Sequence, residues 1–388
     1  MTTLAQTGAG RVAADAVIDV LIPAYNAAGT IRASITCIQT QTITDLRIIV
    51  VDDGSTDGTA DILAEMAAND PRVVVHSQPN RGIVDALNTA LALSSAPFLA
   101  RHDADDIAFP ERLERQLAYL NTNPDCVAVG ANAWHINADG VRTGTKTVFI
   151  GDVDPDAWAV PAQEPYLMHP FLLMRRKALI DAGGYRYCFH AEDADLYWRL
   201  LGTGRLHNMA DVLGEYMIHD GSVSGASMTN GRVAAKYSQL AALSHRRRES
   251  GQEDIIFYRE DLALQNSLDN FSDIMAYKLD ELSAAEQKYL KISSAAKLIS
   301  LASYRPYTLS VDDCVQLKKD LSDLHEIPKS QMIIIRRNQA EVLRRYIDNK
   351  NWSQIAALGL PLTVYVRLFR RYAWKIKNIL NAKKVRQL

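Results

Sequence analysis

Hydrophobic and polar positions follow two periods along this chain. Short, largely apolar runs at residues 18–22, 46–51, 72–76 and 98–101 predict β-strands. Between them, the segments 30–39, 59–68 and 83–93 bring apolar residues back every three to four positions and predict helices. Strands alternating with helices of this length imply an α/β fold: a mainly parallel sheet covered on both faces. In such sheets ligands bind at the carboxyl ends of the strands. One more strand-like run covers 212–218. Beyond about Gly225 the period is helical, with helices expected over 233–248, 258–266, 283–302, 311–324 and 331–348 and no internal repeat.

The polar residues with chemistry to offer follow the predicted strand ends. Pro23, Ala24, Tyr25 and Asn26 follow the first, Asp52-Asp-Gly-Ser-Thr-Asp57 the second, Asn80-Arg-Gly82 the third and Asp103-Ala-Asp-Asp106 the fourth. Each motif alone is ordinary turn and cap chemistry, but four on one sheet edge point to a nucleotide site. Three carboxylates within four residues repel one another unless a cation sits among them, and hard oxygen ligands suit Mg²⁺ or Mn²⁺. The bland alternative is an acidic turn in which Asp106 caps the helix beginning near Pro110. A second acidic site opens with Glu192-Asp193, in the first turn of a helix anchored by Leu196, Trp198, Leu200 and Leu201. There the helix dipole favours acids, and a carboxylate can also serve as a general base.

Composition narrows the picture. With 388 residues and 48% hydrophobic content the chain has room for one large and one smaller core, and a net charge of −2 offers no global attraction to nucleic acid. Cys37, Cys126, Cys188 and Cys314 are too widely spaced for a zinc site or a disulfide framework, so a cytoplasmic setting is expected. Residues 1–16 read as a disordered tail, and the longest nearly uncharged apolar run, 355–366, is too short to span a bilayer. After Asp348 every charged residue is basic. On a helical wheel over 361–388, Tyr365, Leu368, Phe369, Tyr372, Ile376, Ile379 and Leu380 oppose Arg367, Arg370, Arg371 and Lys377. Such a helix either lies on an anionic membrane, with the protein peripheral at the inner face of the plasma membrane, or packs its stripe on the protein.

Taken in order, these residues resemble family 2 of the inverting glycosyltransferases, which have the GT-A fold. The resemblance covers about residues 17–225. It rests on Pro23-Ala-Tyr-Asn26, Val51-Asp-Asp-Gly-Ser-Thr-Asp-Gly-Thr59, and Arg101-His-Asp-Ala-Asp-Asp-Ile107 with Pro110-Glu-Arg-Leu113. It continues through Gly183-Gly-Tyr185, Ala191-Glu-Asp-Ala-Asp-Leu-Tyr-Trp-Arg199, and Tyr216-Met-Ile-His219 with Ser222-Val-Ser224. The resemblance implies a metal-dependent enzyme, with Mn²⁺ or Mg²⁺. Such an enzyme moves a sugar from a nucleotide diphosphate, most often a UDP-sugar, to a hydroxyl of a glycan or lipid-linked acceptor in cell-surface or exopolysaccharide assembly.

By the same resemblance Asp105 is the principal metal ligand, Asp103 contacts the ribose or a metal-bound water, Asp106 supports them, and His219 reaches the metal or diphosphate. Asp53 accepts from the base, and the loop Pro23, Ala24, Tyr25, Asn26 lies against base and ribose. Ser55 and Thr56 touch phosphate or cap a helix, while Asp52 and Asp57 are turn and cap residues. Asp193 is the general base, with Glu192 and Asp195 as lesser candidates. His169 faces either the donor sugar or the core. One departure is Leu87 in Ala86-Leu87-Asn88, where many relatives carry Arg; Arg81 or Arg101 would compensate at the donor. The expected domains are a tail at 1–16, the GT-A domain at 17–225, a helical extension at 226–360 and a basic amphipathic helix at 361–388. Two other readings are a sugar-nucleotide-binding protein that has lost catalysis, which the retention of Asp103, Asp105 and Asp193 opposes, and a sugar-nucleotide pyrophosphorylase. The latter class carries a Gly-rich loop with a following Arg and Lys where this chain has Pro23-Ala-Tyr-Asn-Ala-Ala28.

Overall fold

The apolar runs form strands where the sequence places them: β1 (Ile18–Ala24), β2 (Leu46–Asp52), β3 (Val73–Ser77) and β4 (Phe98–Arg101). Helices α1 (Ile31–Gln39), α2 (Thr59–Asn69) and α3 (Ile83–Leu93) connect them. The structure is a computed structural model in which residues 16–218, 227–322, 324 and 327–369 are described. The next elements are β5 (Ile107–Ala108), α4 (Arg112–Thr122), β6 (Cys126–Ile136), β7 (Arg142–Lys146), β8 (Gly151–Asp152), β9 (Leu173–Arg175), α5 (Arg176–Asp181), α6 (Glu192–Leu200) and β10 (Arg205–Met217).

The sheet order is β3-β2-β1-β4-β9-β6-β10-β5, with β7 beside β6 and β8 beside β10. β1 to β4 are all parallel, with Ala24 level with Asp52 and Asp52 with Ser77, so their carboxyl ends share one edge. β9 is antiparallel to both β4 and β6, whereas β6 and β10 are parallel. Alternation along the strands fills two cores, as expected of strands buried on both faces. Ile18, Val20 and Ile22 of β1 pack with Ile31, Ile35, Leu63, Leu113 and Leu120 on one side. Leu21, Ile49 and Val51 pack with Val84, Leu87, Leu179, Leu196 and Leu200 on the other. Asp19, buried mid-strand, is neutralised by Arg47 through two hydrogen bonds of 2.7 Å and accepts from the amides of Ser95 and Ala96. This is the mainly parallel α/β architecture that the resemblance implies.

A second compact unit comprises residues 155–164, 188–191 and the chain beyond 219. Its helices are α7 (Met228–Glu249), α8 (Asp261–Asn266), α9 (Phe271–Ala276), α10 (Ala284–Tyr304), α11 (Val311–Asp320), α12 (Lys329–Asp348) and α13 (Trp352–Leu358). Capping boxes at Ser283/Glu286 and Ser310/Asp313 start α10 and α11. The helix expected over 258–266 begins only at Asp261, and α9 and α13 add to the expected set, each being too short to show a helical period. The division reaches back into 155–164 and 188–191, which no composition change marks.

None of the four cysteines forms a disulfide, and no described helix is long and apolar enough to cross a membrane. Most of the expected tail and basic helix, residues 1–15 and 370–388, lies outside the described residues, as does His219. In the described start of that helix, Val364 and Leu368 are buried while Leu362, Val366 and Phe369 are exposed.

Candidate active site

The first two strand-end loops are bolted together. Asn26 adopts a left-handed backbone (φ 49°), its N–H donates to Ser55 Oγ (2.9 Å), and its Oδ1 accepts from Thr56 N (2.8 Å). Ala27 N donates to Thr59 Oγ1 and Ala28 N to Asp57 Oδ2. Ser55 and Thr56 therefore hold Asn26 and do not cap α2, whose N-cap is Gly58; the capping expectation is corrected. Asp52 is a turn residue as expected, accepting from Ser55 N. Gly54 (φ 78°) lets the second loop meet the third, since a Cβ there would stand 2.7 Å from Asn80 N.

Asp53 is buried, and its carboxylate accepts from Gln78 Nε2 (2.7 Å), Arg81 N (2.9 Å) and Gly82 N (2.7 Å). Its first task is to shape the loop after β3; a carboxylate with about four acceptor sites keeps one for a further donor. Pro23 and Ala24 end β1 beside this loop, and the side chains of Tyr25 and Arg81 are exposed at the same edge.

β4 delivers the acidic cluster. Candidate ligand atoms of Asp103, Asp105 and Asp106 all lie within 4.8 Å of one another. Asp106 is fully buried; Oδ1 accepts from Met217 N (2.9 Å) and Oδ2 has no hydrogen-bond partner among the described residues. Burial, then the charges of Asp103 and Asp105, push its carboxyl well above the usual range. Asp106 does not cap α4, whose N-cap is Glu111; it grips the end of β10, two residues before His219. Arg101 is buried and ion-paired with Asp103, which keeps its guanidinium charged against the cost of burial. Beneath it Arg112, from the Pro-Glu-Arg-Leu segment, donates to the carbonyls of Arg101 (2.6 Å) and Leu172 (3.3 Å) and meets His102 Nδ1 (3.1 Å). Buried between Arg112 and Arg101, His102 stays neutral.

The acid pair opens α6, as expected. Burial, then the adjacent Asp193 charge, push the Glu192 carboxyl up to about 7, while Arg101 pulls it down and Asp103 raises it. Asp193 Oδ1 accepts from Ala194 N (2.7 Å). Asp195 is withdrawn as a base candidate, because its buried carboxylate is held by Arg199 (2.7 and 2.9 Å) and Arg186. Asp195→Ala, which strands these cations, is expected to cost about 3–5 kcal/mol in urea unfolding.

His169 faces inward: Nε2 pairs with Tyr185 Oη (2.9 Å), and burial with the nearby Arg101 charge keeps the ring neutral. Asn88 clamps Tyr185 through its backbone N–H and carbonyl, both at 2.9 Å. Leu87 is fully buried in the core, so nothing at that helix position faces a donor. Arg101 thus pairs with Asp103, and its charge also acts on Glu192, Tyr185 and His169. The motifs alone do not show that Arg112 supports the strand carrying the cluster, although its place in the Pro-Glu-Arg-Leu segment was the signal for it.

The family model described as Glycosyl transferase family 2 matches residues 19–183. The amylovoran biosynthesis glycosyltransferase AmsE of Erwinia amylovora is 30% identical over 199 residues, 51% of this chain and 71% of that protein. The O-antigen biosynthesis glycosyltransferase WbnJ of Escherichia coli is 27% identical over 219 residues, 54% of this chain and 83% of its own. Among solved structures, the mannosyltransferase PcManGT from Pyrobaculum calidifontis, in complex with GDP-Man and Mn²⁺, superposes with a TM-score of 0.48 at 18% identity, covering 91% of this chain and 87% of that one. With four strand-end loops, an Asp-x-Asp cluster and an acid pair in the family's order, and with AmsE aligned over most of its length, the chain belongs to glycosyl transferase family 2.

Proposed function

We propose that the protein transfers a sugar, with inversion, from a nucleotide diphosphate donor, a UDP-sugar, to a hydroxyl of a glycan or lipid-linked acceptor. The biosynthetic names of AmsE and WbnJ support assembly of a surface or exopolysaccharide. The observation that carries this reading is that Arg101, ion-paired with Asp103 of the acidic cluster, also acts electrostatically on Glu192 of the acid pair. In this reading the cluster holds the cation that meets the charge of the diphosphate, and the acid pair supplies the base for the acceptor hydroxyl.

The cluster fits a divalent cation, since the unpartnered Oδ2 of Asp106 is a buried acceptor with nothing else to satisfy it among the described residues. Asp105 and Asp103 would hold Mn²⁺ or Mg²⁺, with His219 as a further ligand, and the ion would neutralise charge developing on the leaving diphosphate. Pro23, Ala24, Tyr25, Asn26 and Asp53 bind the nucleoside, and Arg81 reaches toward the phosphates. Asp193 takes the acceptor proton, and Glu192 tunes it through their shared charge. The basic C-terminal segment keeps the enzyme at an anionic membrane where a lipid-linked acceptor is presented. The direct test is incubation with Mn²⁺ and a panel of nucleotide sugars, reading release of nucleotide diphosphate and, by NMR, the anomeric configuration of the product. A panel with neither release nor binding would overturn the reading.

The pH dependence has a defined origin. Because burial, then the adjacent Asp193 charge, push the Glu192 carboxyl up to about 7, Glu192 gains its charge only as pH rises through that value, and kcat is expected to change across about pH 7 and level off above it. Glu192→Gln removes the group that titrates there and should abolish that limb. A limb that persists would separate Glu192 from the base.

A further inference from the structure

The hairpin segment after β7 is too apolar for a solvated loop: Val148 and Ile150 are each 72% exposed, with Phe149 at 36% between them. The Phe149 ring lies 4.5 Å from that of Tyr166, tilted by 43°, and Tyr166 is itself 44% exposed. Two buried asparagines hold this aromatic step in place. Asn132 accepts from Phe149 N (2.8 Å) and donates to its carbonyl (2.9 Å), while Asn208 donates to the carbonyl of Tyr166 (2.9 Å). Rings fixed through their backbones and left open to solvent are pre-organised for a ligand.

The step leads toward the acid pair. Tyr197 lies four residues after Asp193 on α6 and therefore shares its face. Its hydroxyl is buried without a hydrogen-bond partner among the described residues, and Asp193, Tyr185 and Tyr166 are near enough to add to the upward push of burial on the phenol. The second buried orphan here is Asn208 Oδ1, on the side chain that holds Tyr166. Aromatic faces beside unsatisfied polar atoms are what a sugar ring requires, since it offers a C–H face to stack and hydroxyls to bond.

Resting on the transferase reading, we propose that Phe149 and Tyr166 form the acceptor subsite, stacking the acceptor sugar ring so that its hydroxyl is presented to Asp193, with the Tyr197 hydroxyl as a bonding partner. The donor side does not use these residues, so the subsite sets which acceptor is taken.

The test uses the full chain and p-nitrophenyl hexosides and N-acetylhexosaminides as probe acceptors. Saturation-transfer NMR should give a signal from the sugar C–H protons with wild type and with Tyr166→Phe, whereas Phe149→Ala and Tyr166→Ala should abolish it. In turnover, the two Ala variants should raise the acceptor KM about tenfold while the donor KM stays within twofold. Equal rises in both KM values, or an acceptor KM that does not move, would overturn the subsite, as would wild type that gives no saturation transfer with any probe. Release of nucleotide diphosphate to water by wild type reports on the transferase reading separately. A sugar signal without such release would uphold the subsite and fail that reading.

Discussion

Asp193→Asn is expected to lower the rate of sugar transfer by about 10²- to 10⁴-fold while leaving the donor KM within twofold. A positioned general base contributes about that factor, and only the carboxylate can accept the acceptor proton. Asn has nearly the same shape, and its Oδ1 can still accept from Ala194 N, so the first turn of α6 should keep its geometry. The rate should be measured with saturating acceptor, donor affinity by calorimetry and folding by thermal unfolding. If Glu192→Gln abolishes transfer while Asp193→Asn retains it, the two residues exchange roles. Asp195→Asn is no substitute control, because that carboxylate already serves Arg186 and Arg199.

The second large effect belongs to the cluster. Asp105→Ala is expected to weaken Mn²⁺ binding about a hundredfold or more and to remove the metal-dependent part of donor affinity. Loss of one oxygen ligand leaves a hard cation short of partners, and Asp103 is already shared with Arg101. Electron paramagnetic resonance of Mn²⁺ reads the binding without turnover, and calorimetry with a nucleotide diphosphate, with and without Mn²⁺, reads the coupling. Unchanged metal affinity in Asp105→Ala would remove the cluster from the site. Together the two variants separate binding from chemistry: one loses the metal and its donor, the other retains both and stops at proton transfer.

Much of this site was legible beforehand because its residues follow strand ends. Once β1 to β4 are parallel, Asn26, Asp53, Arg81 and Asp103 are carried to one edge, whatever the details of packing. The individual duties were less legible. Asp53 and Asp195 look alike in sequence to any exposed acid, yet one holds a loop through two backbone amides and the other neutralises two arginines. Ser55 and Thr56 looked like phosphate ligands or caps and hold Asn26 across 29 and 30 residues of chain. Asp106 looked like a cap and reaches Met217, 111 residues away.

Local pattern determined the elements of the α/β core, the helical character of the C-terminal half, and the edge at which the chemistry gathers. Periodicity and chain reversal are short-range, and β1–α1–β2 and its successors repeat them within about 25 residues at a time. Tertiary structure alone decided the antiparallel insertion of β9 between β4 and β6, the burial of Arg101 against Asp103, and the meeting of Phe149 with Tyr166. Each depends on residues brought together from distant parts of the chain, where burial changes the cost of a charge and the proton affinity of a carboxylate. The amino-acid types named the chemistry; desolvation and long-range packing assigned each residue its part in it.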